Sequence, residues 1–158
     1  MRRLKVAGAI VLAGIATMAV ASGVLAAQPS NHANTARSYA PASVNMVIVP
    51  DSVKGTDKKT HDAYLPATIT AHVGEKVTVI VYNLDTAAHS FTSTSLGVNI
   101  AMAPAPSDGV PGVTTFSFTA TKAGVYPWLC TLPCDNGGTN AWAMTHPGYM
   151  AGEVIVLA

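Results

Sequence analysis

From residue 43 onward, the chain consists of short β-rich runs separated by glycine, proline, asparagine and aspartate, with almost no helical periodicity. The run "VTTFSFT" at 113–119 alternates cleanly, with Phe116 and Phe118 on one face and hydroxyl side chains on the other. Strand-like runs at this spacing, with few charges, predict an all-β domain built as an antiparallel sandwich or barrel. The predicted strands are 44–49, 67–73, 76–83, 89–94, 113–119, 124–130 and 152–157.

Two connections between these runs are unusually long. The first, 101–112, contains prolines that forbid a central strand. The second, 131–151, starts directly after Cys130 and contains Cys134, a tryptophan, a histidine and two methionines. Connections of this length are usually functional or disordered, and this composition is not that of a disordered segment. We therefore expect the second connection to carry the function.

The N-terminal segment predicts export. Arg2, Arg3 and Lys5 precede an uncharged apolar stretch, 6–27, that ends in small residues, which is the pattern of a secretory signal. Residues 1–27 are therefore interpreted as a signal peptide, or as an uncleaved anchor in which 6–27 tethers the protein to a membrane. Residues 28–42 have the composition of a flexible linker, and 43–158 form one domain. The expected location is periplasmic, extracellular or membrane-anchored facing outward.

Charge and motifs exclude several function classes. The chain has nine basic residues, three of them in the leader, against eight acidic residues, and no basic patch. This composition argues against a nucleic-acid partner. No serine-nucleophile motif, paired carboxylates or phosphate loop is present, and the aspartates lie in turn-like stretches where they are normally structural. The residues therefore give catalysis by this chain little support.

Soft ligands are concentrated near the C-terminus. In "GVYPWLC", Tyr126, Trp128 and Cys130 share one face, and the two aromatic residues mark it as the core face. Cys130 would then point inward at the rim of the sandwich. Thiolate, thioether and imidazole ligands together select copper over magnesium or calcium.

A trigonal copper site of two imidazoles and one thiolate, with a long axial thioether, suits electron transfer. His146 and Met150 could supply one imidazole and the thioether. His89, which begins a strand after a turn of small residues, is the best candidate for the second imidazole. His61 and His72 are weaker candidates.

The stretches "YLPATITAHVGEKVTVIVYNLDTAAHSF", "FSFTATKAGVYPWLC" and "HPGYMAGEVIV" resemble the cupredoxins over residues 44–158. The resemblance is to exported bacterial cupredoxin-domain proteins and to the copper domain of cytochrome c oxidase subunit II. It implies a Greek-key β-sandwich of about seven or eight strands, with copper bound at one end. The metal ligands that it implies are His89, Cys130, Cys134, His146 and Met150.

The resemblance does not decide whether the site holds one copper ion or two. A mononuclear type 1 site needs one cysteine, whereas a binuclear CuA site uses two cysteines separated by three residues, as Cys130 and Cys134 are. The CuA pattern also implies a backbone carbonyl ligand, here that of Leu132. However, eleven residues separate Cys134 from His146, more than the CuA pattern allows.

Three functions fit these residues. The first is electron transfer to an unidentified redox partner protein, and the second is copper storage or delivery by the same ligands. The third is a metal-free β-sandwich binding domain with a Cys130–Cys134 disulfide, because exported cysteines commonly pair. A bridge across three residues closes a very small loop and would contribute little entropic stabilisation.

Overall fold

The computed structural model describes residues 38–135 and 141–158, in which the chain forms nine strands, one short α-helix and one 3-10 turn at Thr94–Leu96. The predicted signal peptide and residues 28–37 of the predicted linker lie outside the described residues. In the part of the chain that is described, no helix is long and apolar enough to cross a bilayer. The elements are β1 (Ala42–Lys54), β2 (Thr60–Leu65), β3 (Thr68–His72), β4 (Lys76–Asn83), β5 (His89–Ser93), β6 (Val98–Met102), β7 (Gly112–Thr119), β8 (Gly124–Leu129), α1 (Ala141–Thr145) and β9 (Ala151–Leu157).

The strands form two sheets, with the orders β2-β1-β4-β7 and β3-β9-β8-β5-β6. This arrangement confirms the all-β sandwich predicted from the short alternating runs. The pairs β1–β4 and β3–β9 are parallel, and the other pairs are antiparallel. The parallel pairs arise because the chain crosses to the opposite sheet between the two partners. The prediction of an antiparallel sandwich is therefore correct for most strand pairs but not for these two.

The core lies between the sheets and follows the alternation of the sequence. Every second residue of β4 is buried, including Val77, Val79 and Val81, and the adjacent strand β7 buries Phe116 and Phe118. The predicted inward face of β7 is therefore confirmed. Alternate side chains of a strand point to opposite faces, so this pattern aligns one apolar face of each sheet with the other.

Trp128 of β8 is the largest side chain in this core. It stacks on Phe91 with ring centroids 4.6 Å apart, and its ring meets Tyr64 edge-on at 5.0 Å. Gly152 of β9 leaves the space for it, since a Cβ there would collide with the carbonyl oxygen of Ala67 and the Trp128 ring. The predicted core face of "GVYPWLC" is confirmed for Trp128 and Cys130, which are both buried.

Two strands, β2 and β6, were not among the predicted runs, and they raise the total above seven or eight. The four central residues of β2 are all buried, so that strand lacks the alternation that marks a half-exposed strand. Two of them are polar, His61 and Asp62. The carboxylate of Asp135 bonds to both of them, from 74 and 73 residues away, which a local pattern does not reveal.

The second long connection contains the short helix α1 and is tied to the strands by backbone hydrogen bonds. We call its described residues, 131–135 and 141–150, the final loop. Cys130 N–H donates to the carbonyl of Met150 at 2.8 Å, and Met150 N–H donates to that of Ala143 at 3.0 Å. Tyr64 N–H of β2 donates to the carbonyl of Tyr149 at 3.0 Å. The final loop therefore folds back over the end of β8 and the edge of β2.

Candidate metal centre

Three of the predicted ligands converge at one end of the sandwich. His89 begins β5, Cys130 directly follows β8, and Cys134 lies in the final loop. A ring nitrogen of His89 and the two sulfur atoms all lie within 4.8 Å of one another, and all three residues are buried. The cysteines are free thiols with their sulfur atoms 2.8 Å apart. The fold thus gathers one imidazole and two thiols from positions up to 45 residues apart in sequence.

The imidazole of His89 is held by Asp85. Its Nε2–H donates to the Asp85 carboxylate at 2.9 Å, and that carboxylate also accepts from the backbone N–H of Ala87 at 3.0 Å. No described residue forms a hydrogen bond with Nδ1 of His89, although this atom is buried. A carboxylate that fixes one ring nitrogen as the donor leaves the other as a lone-pair ligand, which is the usual arrangement at metal-binding histidines.

The electrostatics of the two thiols differ strongly. The hydrogen bond from Cys134 lowers the pKa of Cys130 to about 4, with help from His89 and the Ser90 N–H 3.4 Å away, although burial opposes it. The same contact and burial raise the pKa of Cys134. At neutral pH the pair is therefore one thiolate and one thiol, and the thiolate is the form that binds metals.

Hydrogen bonds that involve three hydroxyl side chains, Ser90, Thr92 and Thr131, fix the chain where β8 passes into the final loop. Thr131 N–H donates to the hydroxyl of Ser90 at 2.8 Å, and the hydroxyls of Thr131 and Thr92 lie 3.2 Å apart. The carbonyl oxygen of Leu132 lies 3.6 Å from the sulfur of Cys130. The carbonyl that a CuA site would require is thus close to the predicted thiolate ligand.

Met150 and His146 are placed differently from the three converging residues. Met150 is fully buried, and its backbone is bonded to that of Cys130. His146 is half-buried; its Nδ1 donates to the carbonyl of Trp142 at 2.6 Å, and its ring stacks on the indole at 3.8 Å. Among the described histidine, cysteine and acidic residues, His146 does not belong to the group around Cys130. The full set of five ligands stays a prediction.

The weaker histidine candidates have other partners. His61 is buried with both ring nitrogens bound to carboxylates, those of Asp135 at 2.7 Å and Asp57 at 2.9 Å. Burial lowers the pKa of His61, but these two hydrogen bonds outweigh it and leave the pKa raised. His72 is partly exposed and stacks on Tyr39 at 4.0 Å. Neither ring belongs to the group around Cys130.

Asp85 and Asp135 are the residues whose importance the sequence interpretation missed. Both lie in turn-like stretches, yet one holds His89 and the other binds the buried His61. The spacing of four residues between Asp85 and His89 was the available signal for the first. Nothing local signals the second, because Asp135 and His61 are 74 residues apart.

The chain matches a known protein family. A family model described as a cupredoxin-like domain matches residues 14–139, which include His89, Cys130 and Cys134 but not His146 or Met150. No curated protein is significantly similar to the chain.

Several solved structures are similar in fold. The blue copper oxidase from Nitrosomonas europaea is 20% identical with a TM-score of 0.50, over 73% of this chain and 38% of that one. The copper nitrite reductase from the same organism is 16% identical with a TM-score of 0.50, over 72% and 40%. Auracyanin A, a blue copper protein from Chloroflexus aurantiacus, is 17% identical with a TM-score of 0.47, over 74% and 99%. The chain thus spans about two fifths of the first two proteins.

Proposed function

We propose that this chain, which belongs to the cupredoxin-like domain family, binds copper through His89, Cys130 and Cys134 and carries single electrons. The observation that carries the proposal is the convergence of these three buried side chains, whose ligand atoms lie within 4.8 Å of one another. The names of the structurally similar oxidase and nitrite reductase, which both include copper, support the choice of metal.

The donor set suits copper chemically. A buried Nδ1 without a hydrogen-bond partner among the described residues is otherwise costly, because an unsatisfied buried polar atom loses its hydration. Thiolate and imidazole together favour copper over hard cations. Bound copper would supply a one-electron redox centre, while Asp85 orients His89 and the surrounding core excludes water.

Met150 and His146 complete the proposed set. Met150 is buried and bonded through its backbone to Cys130, which supports a thioether role. The Nδ1 of His146 already donates a hydrogen bond, so Nε2 is the ring nitrogen that it would offer. Its half-buried position suits the exchange of electrons with a redox partner protein. We further propose that 1–27 directs export to the periplasm, cell surface or outside, with 6–27 as a possible membrane tether.

Copper storage or delivery is the second candidate function. It is favoured by the presence of two cysteines, because a mononuclear electron-transfer site needs only one. The storage function predicts tight Cu(I) binding with little colour and no stable Cu(II) form. Electron transfer predicts a strongly coloured protein that is reversibly reduced and reoxidised.

Absorption and EPR spectra of the copper-loaded domain 43–158 test the proposal. A copper–thiolate band with a single-copper EPR signal is expected for a type 1 site, and a signal shared between two coppers is expected for a CuA-like site. Replacement of Cys134 by Ser should leave the colour unchanged if the site is mononuclear and its thiolate is Cys130. Failure to take up copper under reducing conditions, with both thiols titratable, would refute copper binding.

A further inference from the structure

His61 occupies a position that the proposed ligand set does not explain. It lies in β2, a strand that supplies none of the proposed ligands, yet its side chain is completely buried. Its Nδ1 is bonded to the carboxylate of Asp135, the residue directly after Cys134. The second oxygen of that carboxylate accepts from the backbone N–H of Asp62 at 3.2 Å. The chain just beyond Cys134 is therefore anchored to β2 at two points.

The same imidazole also contacts the other described part of the final loop. The Trp142 indole stacks on two imidazole rings, with centroids 4.5 Å from His61 and 3.8 Å from His146. The planes are nearly parallel, at 19° and 13°. Tyr149 meets the edges of both Trp142 and His61, at 4.8 Å and 5.7 Å. His61 thus forms one end of a stack that reaches His146.

The hydrogen bonds of His61 require a particular charge. A neutral imidazole carries one N–H and can donate to only one carboxylate, whereas the imidazolium donates at both nitrogens. The two carboxylates at its nitrogens, those of Asp57 and Asp135, therefore favour the imidazolium form of His61. Loss of either the imidazolium or a carboxylate would leave a buried charge without compensation, which is costly in free energy.

The ring is also confined by its surroundings. A Cβ at Gly55 would lie only 2.9 Å from two atoms of the His61 imidazole and 2.6 Å from the Asp57 carboxylate. Glycine at this position therefore lets the backbone approach the ring closely. The orientation of His61 is fixed by contacts on its edge, both nitrogens and its face.

We propose that His61 is a positioning residue for the metal centre: by binding Asp135 and stacking on Trp142, it sets the positions of Cys134 and His146. This inference rests on the copper-binding function proposed above. His61 itself is no ligand, because both of its nitrogens are occupied. It acts through the two described parts of the final loop, 131–135 and 141–150, the second of which begins with α1.

Replacement of His61 by Phe separates this role from simple packing. Phenylalanine keeps a flat ring against Trp142 but loses both hydrogen bonds and the positive charge. We expect copper to be released to a chelator about tenfold faster or more, with a shifted copper–thiolate band and altered EPR parameters, as is typical when groups that orient metal ligands are lost. The matched control is His72→Phe, the same substitution at a histidine that stacks on Tyr39. This control should leave the spectra unchanged.

A second measurement uses the metal-free reduced protein, so that it does not depend on copper. Amide hydrogen exchange in 131–135 and 141–150 should become faster in His61→Phe while the strands of the sandwich keep their protection. If His61→Phe does not fold, Asp135→Asn provides the test, since it keeps the chain length and an acceptor oxygen but removes the charge that faces His61. It should shift the spectra and the loop exchange in the same direction.

The outcomes separate the two proposals. If the wild-type protein takes up no copper but loop exchange increases in His61→Phe, the copper proposal fails and the positioning of the loop stands. If copper binds and both the spectra and the loop exchange of His61→Phe match those of the wild type, the positioning role is refuted. A uniform increase of exchange across the whole sandwich would also refute it, since His61 would then be an ordinary core residue.

Discussion

At the scale of single residues, the Asp85 carboxylate decides which nitrogen of His89 carries the proton. It accepts from Nε2–H, so the neutral imidazole keeps its lone pair on Nδ1, which is the form that binds a metal. The turn holds this carboxylate in place, because Asp85 N–H is bonded to the side chain of Asn83 at 2.9 Å. One hydrogen bond therefore links the turn before β5 to the metal-binding state of the imidazole.

Replacement of Asp85 by Asn should weaken copper binding by about tenfold to a hundredfold, the range typical for groups that orient ligating histidines. The amide can donate to Nε2, which would move the ring proton to Nδ1 where copper has to bind. Competition with a chelator measures the affinity. The control is Asp108→Asn at an exposed aspartate, which should bind copper as the wild type does. Equal affinities of the Asp85 variant and the wild type would contradict the prediction.

The Cys130 thiolate should be detectable without metal. In the reduced metal-free protein, the far-ultraviolet thiolate absorbance should persist at neutral pH and disappear as the pH falls through about 4. Because the hydrogen bond from Cys134 is the main cause of the low pKa, Cys134→Ala should move this transition to higher pH. Cys134→Ser retains a donor and should move it less. Identical transitions in all three proteins would show that the contact is not responsible.

At the scale of secondary-structure elements, alternation was the reliable signal. β4 occupies the residues that were predicted and β7 differs from prediction by a residue, because their apolar residues follow the period of a strand with one buried face. β5 and β8 begin as predicted and end one residue earlier. β2 was missed because all four of its central residues are buried, and His61 among them is bonded to Asp135 of the final loop, 74 residues away. Sequence alone therefore locates a strand best where the other sheet, not a loop, covers it.

The close contact between Gly152 of β9 and Trp128 of β8 predicts that one added methyl group at residue 152 destabilises the fold. Gly152→Ala would place a Cβ against the Ala67 carbonyl, which is backbone, and 2.6 Å from the Trp128 ring. Overpacking of this kind costs about 1–3 kcal/mol, so the free energy of unfolding should fall by at least that much. Chemical denaturation measures it. Leu157→Ala, at the exposed end of the same strand, should change stability by no more than about 0.5 kcal/mol.

At the scale of the whole molecule, the β-sandwich and the convergence of three ligands at one end of it were predictable from the sequence, but the details of the site were not. Residue types and their order in sequence were enough to select His89, Cys130 and Cys134, which the fold brings together. The position of His146 was not predictable, because it depends on a stack with Trp142 and a carbonyl bond inside an insertion. Such contacts depend on the three-dimensional course of the loop, which residue types do not specify.

The buried His61 should make global stability depend on pH. Its pKa is raised above the ordinary 6.5, so the folded state binds the proton more tightly than the unfolded state does. The resulting stabilisation is complete below about pH 6.5 and is lost as the pH rises through the folded-state pKa. The difference in unfolding free energy between the wild type and His61→Phe should therefore shrink with rising pH, by at most about 1.4 kcal/mol per unit. Denaturation of the metal-free proteins across this range measures it, and a constant difference would contradict it.

The bond between Tyr64 of β2 and the carbonyl of Tyr149 has a consequence for self-association. β2 is an edge strand of its sheet, and exposed edges of this kind are templates on which a second molecule can add a strand. The final loop covers part of that edge. A protein whose loop is cut or displaced should therefore associate more readily through β2, so the segment proposed to hold the metal also shields an edge strand from pairing with a second molecule.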